Sequence, residues 1–344
     1  MGRTQGGCQV TYIETMFISV HDMNEFPVDL VITWVDGQDA RHKAKRVRFS
    51  NDGSELTLDD IGGDTRFNSV GEIYYCVASY IRFAPFIRRI YIVTDAQDPK
   101  VEDFLLRYFT KEQIPPIILL DHKVIFKGYE NFLPVFNSLA IETMLWRIPD
   151  LSEHFIYSND DVLLVRPTKL EDFFTDGKAN AYGYWHLAWT ARFLRKIRLH
   201  KKFSFRDSML NSAILRNSSK FYRIAHTPHA MRKSVLQQYY TRHPEHLITN
   251  ISHRFRHPSQ YNPQVLSYLL GIEAGKVETI DSKGKYNYLG PKPDRAPDYV
   301  EKMIDGFSHD DNSKFLCVNS LDQNTAEERE IIEKYIMHCL NLHE

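Results

Sequence analysis

The chain has 344 residues, 43% hydrophobic and 25% charged, with a formal net charge of −1. That is enough length and apolar content for a large core in one elaborate domain, and it excludes a disordered or fibrous chain. Its four cysteines, Cys8, Cys76, Cys317 and Cys339, lie far apart with no CxxC pair, so neither a disulfide framework nor a cysteine zinc site is expected.

No run reaches the roughly 20 apolar residues that span a bilayer, and the N-terminus has no apolar stretch followed by a small-residue cleavage site, so the expected location is cytoplasmic. The near-zero net charge conceals a polarised chain. Between His186 and His257 fifteen Lys/Arg face only Asp207 and Glu245, a balance near +13 that leaves about −14 for the rest. One part is built for anions; the plain alternative is a solvated basic face.

Residues 1–26 show little periodicity and read as a poorly ordered extension. MGRTQG departs from a myristoylation signal at Gly6. Four runs rich in β-branched and aromatic residues then read as buried strands: 28–34, 88–94, 116–120 and 154–158. Helical spacing fills the gaps. Val70, Ile73, Tyr74, Val77 and Ile81 share a face behind the candidate caps Asn68 and Ser69, and Pro85 stops that helix. A second helix is predicted over 101–109, and a third from Asn137/Ser138 to Arg147, before Pro149.

Strands alternating with helices predict an α/β fold with a mainly parallel sheet flanked by helices. The second half is expected to be helical and basic, with helices over 187–202 and 231–243, and an amphipathic helix over 326–340 packing onto the core.

Each predicted strand runs into an acid: Asp36, Asp95, Asp121, and the pair Asp160 and Asp161. In open parallel sheets ligands bind beyond the carboxyl ends of the strands, so these side chains can converge. Asp also favours strand ends because it makes turns and caps helices, and that reading is preferred for Asp95 and Asp121. Asn159-Asp160-Asp161 offers two hard oxygen ligands suited to Mg2+ or Mn2+.

In the basic half, His226, His229, Arg232 and Lys233 form one cationic cluster, and His253-Arg254-Phe255-Arg256-His257 another. Arginines clamp phosphate oxygens and a histidine takes a proton near neutral pH. Zinc on His226 and His229 is the rival, without an obvious third ligand.

These residues stand in four ordered blocks that resemble the Stealth family: PVDLVITWVDGQD (27–39), the stretch from DTRFN (64–68) to HFIYSNDDVLL (154–164), HTPHAMRKSVLQQYYTRHPEHLITNISHRFRHP (226–258), and KFLCVNSLD (314–322). The resemblance implies a glycosyltransferase-A-like fold and transfer of a sugar-1-phosphate from a UDP-sugar to a hydroxyl of a bacterial surface polysaccharide or lipid-linked oligosaccharide, with release of UMP. It implies one composite catalytic domain over 27–325, made of a nucleotide-sugar and metal half (27–165), a basic half (180–258) and a closing segment (312–322), followed by the terminal helix at 326–344.

It also implies roles. Trp34, Val35, Asp36, Gly37, Arg66, Asn137 and Ser138 would line the nucleotide pocket; Asp160, Asp161 and Asn319 would hold Mg2+ or Mn2+; His226 would act as base and Arg256 would bind phosphate. His229, Arg232 and Arg254 are added as substrate contacts from the basic clusters. The chain departs from the family pattern at Leu139, Ala78 and Ser320.

Two other functions stay open: a metal-dependent glycosyltransferase that releases UDP, and a non-catalytic sugar- or polyanion-binding module. A nucleic-acid partner is not expected, since the basic segment is about a fifth of an otherwise acidic chain. Peripheral contact with an anionic membrane or with capsule machinery, through the aromatic and basic 187–202 helix, is a further expectation.

Overall fold

The computed structural model describes residues 26–50, 70–197, 203–290, 292 and 294–342. Its central sheet begins with β1 (Val28–Thr33), followed by α1 (Ala40–Ser50), α2 (Glu72–Phe83), β2 (Ile87–Thr94), α3 (Val101–Leu105), β3 (Ile117–Asp121), α4 (His122–Ile125), α5 (Ser138–Met144) and β4 (His154–Asn159). β1 to β4 are all parallel, in the order β3-β2-β1-β4. All four predicted strands are present within a residue or two of their predicted limits.

β1 is buried on both faces, and the period-2 alternation of a strand divides its side chains between two cores. Leu30 and Ile32 pack with α2 on one face, while Val31 joins Tyr91, Val93, Phe155 and Tyr157 against α5 on the other. Asp29, fully buried in the same strand, is held by the Arg88 guanidinium at 2.9 and 2.7 Å.

The chain continues through β5 (Val162–Leu164), β6 (Phe174–Thr175), β7 (Lys178–Leu187), α6 (Ala188–Ile197), α7 (Phe205–Leu215), β8 (Lys220–Ile224), β9 (His229–Arg232), α8 (Lys233–Arg242), α9 (Pro244–Ile251) and α10 (Pro263–Glu273). It ends with β10 (Val277–Asp281), β11 (Tyr286–Leu289), α11 (Tyr299–Ser308), β12 (Phe315–Val318) and α12 (Ala326–Leu340). A second sheet runs β10-β7-β6 with β8 beside β7, and a third runs β11-β12-β5. The second half thus contributes strands as well as helices.

Several boundaries differ from the sequence reading. The helix predicted from 231 starts at Lys233, because His229–Arg232 pair antiparallel with the free edge of β4 and satisfy its backbone groups. α3 stops at Leu105, short of the predicted 109. α2 starts at Glu72 behind Gly71, whose φ of 105° is the left-handed conformation glycine accepts; the expected caps Asn68 and Ser69 lie outside the described residues, as do 1–25 and 198–202. α12 matches its predicted span and packs Ile332, Ile336 and Leu340 into the α2 core.

Candidate functional site

Strand order fixes where a ligand can sit. From β1 the chain moves outward to β2 and β3, then returns to β4 on the other side of β1. The loops leaving β1 and β4 therefore diverge, opening a crevice at the carboxyl edge between them. Thr33 is level with Val93 on β2 and with Asn159 on β4, so the residues after each strand emerge side by side. A cleft of about 480 Å³ occupies this position, walled by Trp34, Val35, Asn137, Ser138 and Arg256 and reaching Asp160, Asp161 and Asn319 at one end.

That end is acidic. Removal from water, then the charges of Asp161 and Glu72, push Asp160 well above the usual carboxylate range. Burial and the Glu72 charge raise Asp161 to about 6. Asn319 donates to Asp161 Oδ2 at 3.4 Å, and the Cys317 thiol approaches the same oxygen at 3.8 Å.

Asp161 Oδ1 is buried with no hydrogen-bond partner among the described residues. Two aspartates, a glutamate and an amide form an all-oxygen donor set that suits Mg2+ or Mn2+. The three carboxylates are not gathered as a trio within 4.8 Å, so a cation here would complete its shell with water and ligand oxygens, as Mg2+ does.

Glu72 was missed in the sequence, where 70–81 reads only as a packing face. It is the first residue of α2, and its placement in the first turn suits the positive end of the helix dipole. Glu142 was missed for the same reason. It lies on α5, buried, with burial raising its pKa against the opposing effects of Gln264 and Arg256; Tyr157 donates to it at 3.1 Å.

Asn137 caps α5 by accepting from the Leu139 amide, and its side-chain amide donates to the carbonyls of His253 and Phe255 and to Gln260. This lashes the 253–257 loop to the cleft wall. Arg256 then reaches Ser138 Oγ at 3.0 Å.

The opposite end of the cleft is lined by two histidines the sequence reading did not select, His42 on α1 and His122 on α4. Burial holds His122 down at about 4, so it is neutral at physiological pH. Asp95 beside them is ion-paired with Lys45 at 3.0 Å to both oxygens, and Asp121 caps α4 through the Lys123 amide. Both acids do structural work, as their strand-end position suggested.

The other expected contacts divide. Asp36 turns its carboxylate back onto the Gln38 amide at 2.9 Å, and neither it nor Gly37 lines the cleft. Arg66 lies outside the described residues. His229 is a core residue: it stacks on Tyr157, and burial lowers its pKa to about 3, so it carries no charge for a phosphate.

Arg232 is opposite His154 at the amino end of β4, away from the cleft, where it clamps Glu153 at 3.0 Å and the Gly177 carbonyl at 2.9 Å. Both corrections share one cause: β9 runs antiparallel to β4, so its residues move away from the carboxyl edge as the chain advances. Arg254 donates to the Leu133 carbonyl and lies over the Phe49 ring.

His226, just before β9, is solvent-exposed beside the cleft rather than in its wall. Its ring lies 4.8 Å from that of Tyr288 on β11. The Tyr288 hydroxyl is pushed up to about 12 by partial burial and then by Cys317 and Asp161, which ties this pair to the acidic end. Packing around the imidazole and the nearby Arg223 hold His226 below its ordinary pKa, leaving it neutral and able to accept a proton.

Three family models match the chain: Stealth protein conserved region 1 at residues 26–54, conserved region 2 at 66–182 and conserved region 3 at 225–269. The chain belongs to the Stealth family. Exopolysaccharide phosphotransferase SCO6021 of Streptomyces coelicolor is 28% identical over 90% of this chain and 55% of its own length, so the Stealth chain described here spans little more than half of that relative. Capsular polysaccharide phosphotransferase LcbA of Neisseria meningitidis is 27% identical over 86% of this chain and 78% of its own.

Among solved structures, mouse xyloside xylosyltransferase 1 aligns over 85% of this chain and 98% of its own with a TM-score of 0.42 and 9% identity. Stealth region 1 supplies Trp34 and Val35 of the cleft wall and region 2 its acidic end, and the residues before β9 together with the 253–257 loop bring region 3 to its rim. The short segment around β12 adds Asn319. Among the described residues no helix is long and apolar enough to cross a membrane.

Proposed function

We propose that this Stealth protein transfers a sugar-1-phosphate from a UDP-sugar to a hydroxyl of a bacterial surface polysaccharide or its lipid-linked precursor. The observation that carries the reading is the pairing, in one cleft, of an all-oxygen acidic end with Arg256. A pyrophosphate needs that combination, because its charge must be neutralised from two sides while the reacting phosphorus is held in line. The names of the capsular and exopolysaccharide relatives support it.

In this reading Asp160 and Asp161, with Asn319 and Glu72 beside them, hold Mg2+ or Mn2+, which supplies electrostatic stabilisation of the diphosphate. Trp34, Val35 and Asn137 shape the nucleotide pocket, and Arg256, braced on Ser138, binds phosphate oxygens. His226 takes the proton of the acceptor hydroxyl. The acceptor oxygen forms a bond to the β-phosphorus, the bridge to the α-phosphate breaks, and UMP leaves with the electron pair.

Trp189 and Phe193 on α6 are 66% and 60% exposed, which supports a peripheral contact with an anionic membrane surface. The test of the reaction is product analysis with UDP-hexoses, Mg2+ and polysaccharide acceptors. UMP in step with transfer supports phosphotransfer, whereas UDP in its place supports the glycosyltransferase reading.

A further inference from the structure

At the elbow between α8 and α9, away from the cleft residues, His243, Glu245 and His246 bring ligand atoms together. One nitrogen of each histidine and a Glu245 oxygen all lie within 4.8 Å of one another, the one such group among the described residues. His243 Nδ1 is 3.3 Å and His246 Nε2 3.8 Å from Glu245 Oε1. Ligands about 2.0–2.1 Å from a tetrahedral zinc are separated by roughly 3.4 Å, so two edges of the triangle are already near that spacing. The geometry points to a second cation site, a zinc-type His2Glu site, separate from the oxygen ligands of the cleft.

Its surroundings favour this over a chance cluster. The Tyr239 hydroxyl is 2.9 Å from His246 Nδ1. An imidazole that uses one nitrogen on such a partner presents the other to a metal in a fixed orientation. The His246 ring also stacks on Tyr239 and on His243, which pack against each other, so the three rings form one cluster that restrains its rotation.

Arg216 is the group that repels a cation here, and its guanidinium is engaged by Glu273 at 2.7 Å. The site is partly open, which leaves a fourth position for water.

The three ligands span the end of α8 and the first turn of α9, so an ion would pin the elbow. α9 ends at Asn250 and Ile251, and Asn250 donates to Thr143 Oγ1 at 2.6 Å on α5, the helix that bears the Asn137 and Ser138 wall of the cleft. Occupancy therefore stiffens the element that leads into the Arg256 loop.

The experiment is titration of the metal-stripped full chain with Zn2+ alone, in calorimetry, with Co2+ absorption as a geometric readout. The wild type is expected to take one equivalent at this site and to show a tetrahedral Co2+ band. His243→Ala and His246→Ala should each weaken binding at least about tenfold, and Glu245→Gln, which keeps the side-chain shape, should weaken it as well.

An Asp160→Asn/Asp161→Asn double variant should keep the Co2+ band and this Zn2+ equivalent, which separates the elbow from the cleft and from the proposed reaction. No tetrahedral Co2+ band in the wild type, or Zn2+ binding that survives both histidine changes, overturns the site. So does binding that disappears in the double aspartate variant.

Discussion

The acidic switch-point end gathers three carboxylates, whereas the segment at 186–257 carries a balance near +13 in the sequence, and the fold treats the two differently. At the carboxyl edge of the parallel sheet Asp160 and Asp161 after β4 meet Glu72 of α2 in one cleft, while the other strand-end acids are spent locally, Asp36 on the Gln38 amide, Asp95 on Lys45 and Asp121 on the α4 cap. The basic residues scatter. Arg256 enters the cleft, Arg232 clamps Glu153 at the other end of β4, Arg216 pairs with Glu273 and Arg223 lies over Tyr184. Clustered charge along a chain becomes a site only where topology returns it to one place.

That contrast can be broken at several points. The largest expected effect is at the acidic end: Asp161→Asn should lower turnover at least about 10³-fold, and steady-state assay at saturating Mg2+ checks it. An effect below tenfold would remove the carboxylate pair from the reaction.

His226→Ala should follow, with a loss of about 10²–10⁴-fold in kcat and little change in UMP binding, because His226 stands outside the cleft wall. Weakened UMP binding with kcat intact would instead make it a binding residue.

Arg232→Ala should separate the two regions most sharply. Loss of its clamp on Glu153 should cost about 1–3 kcal/mol of stability, read by denaturant titration, with kcat unchanged; a specific fall in kcat at normal stability would return Arg232 to the site.

The remaining prediction concerns acid lability, whose effect within one pH unit is small. His229 has a folded pKa of about 3 and His122 one of about 4, both below the ordinary histidine value. Their neutral forms contribute stability that is present above about pH 6.5 and lost as the pH falls toward those values, at up to about 1.4 kcal/mol per pH unit for each. The midpoint temperature should fall below pH 6, and His229→Phe, which keeps a ring against Tyr157, should flatten that fall. An unchanged slope would contradict the assignment.

Much of this was legible. The four central strands, the Asn137 cap, α12 and the convergence of Trp34, Asp160, Asp161, Asn319 and Arg256 all follow from apolar runs, turn residues and ordered motifs. His229 and Arg232 were not legible as structural residues, because a basic sequence does not reveal that they form an edge strand running away from the site. Glu72, Glu142, His42 and His122 were missed for the complementary reason. Glu72 and Glu142 sit singly in helices whose apolar face dominates the pattern, His42 lies in the basic α1 and His122 opens the short α4; only tertiary packing brings Glu72, His42 and His122 to the cleft and Glu142 against Tyr157. α2 shows the limit of local signals as well, since its start is set by Gly71 with positive φ.

The account rests on attack at phosphorus, and the β-phosphate of the donor reports it directly. With a UDP-sugar labelled at that phosphorus, Mg2+ and polysaccharide acceptor, the label should pass into the polysaccharide as a phosphodiester while UMP is released unlabelled. Label retained in released UDP, with unlabelled sugar on the acceptor, would contradict the account.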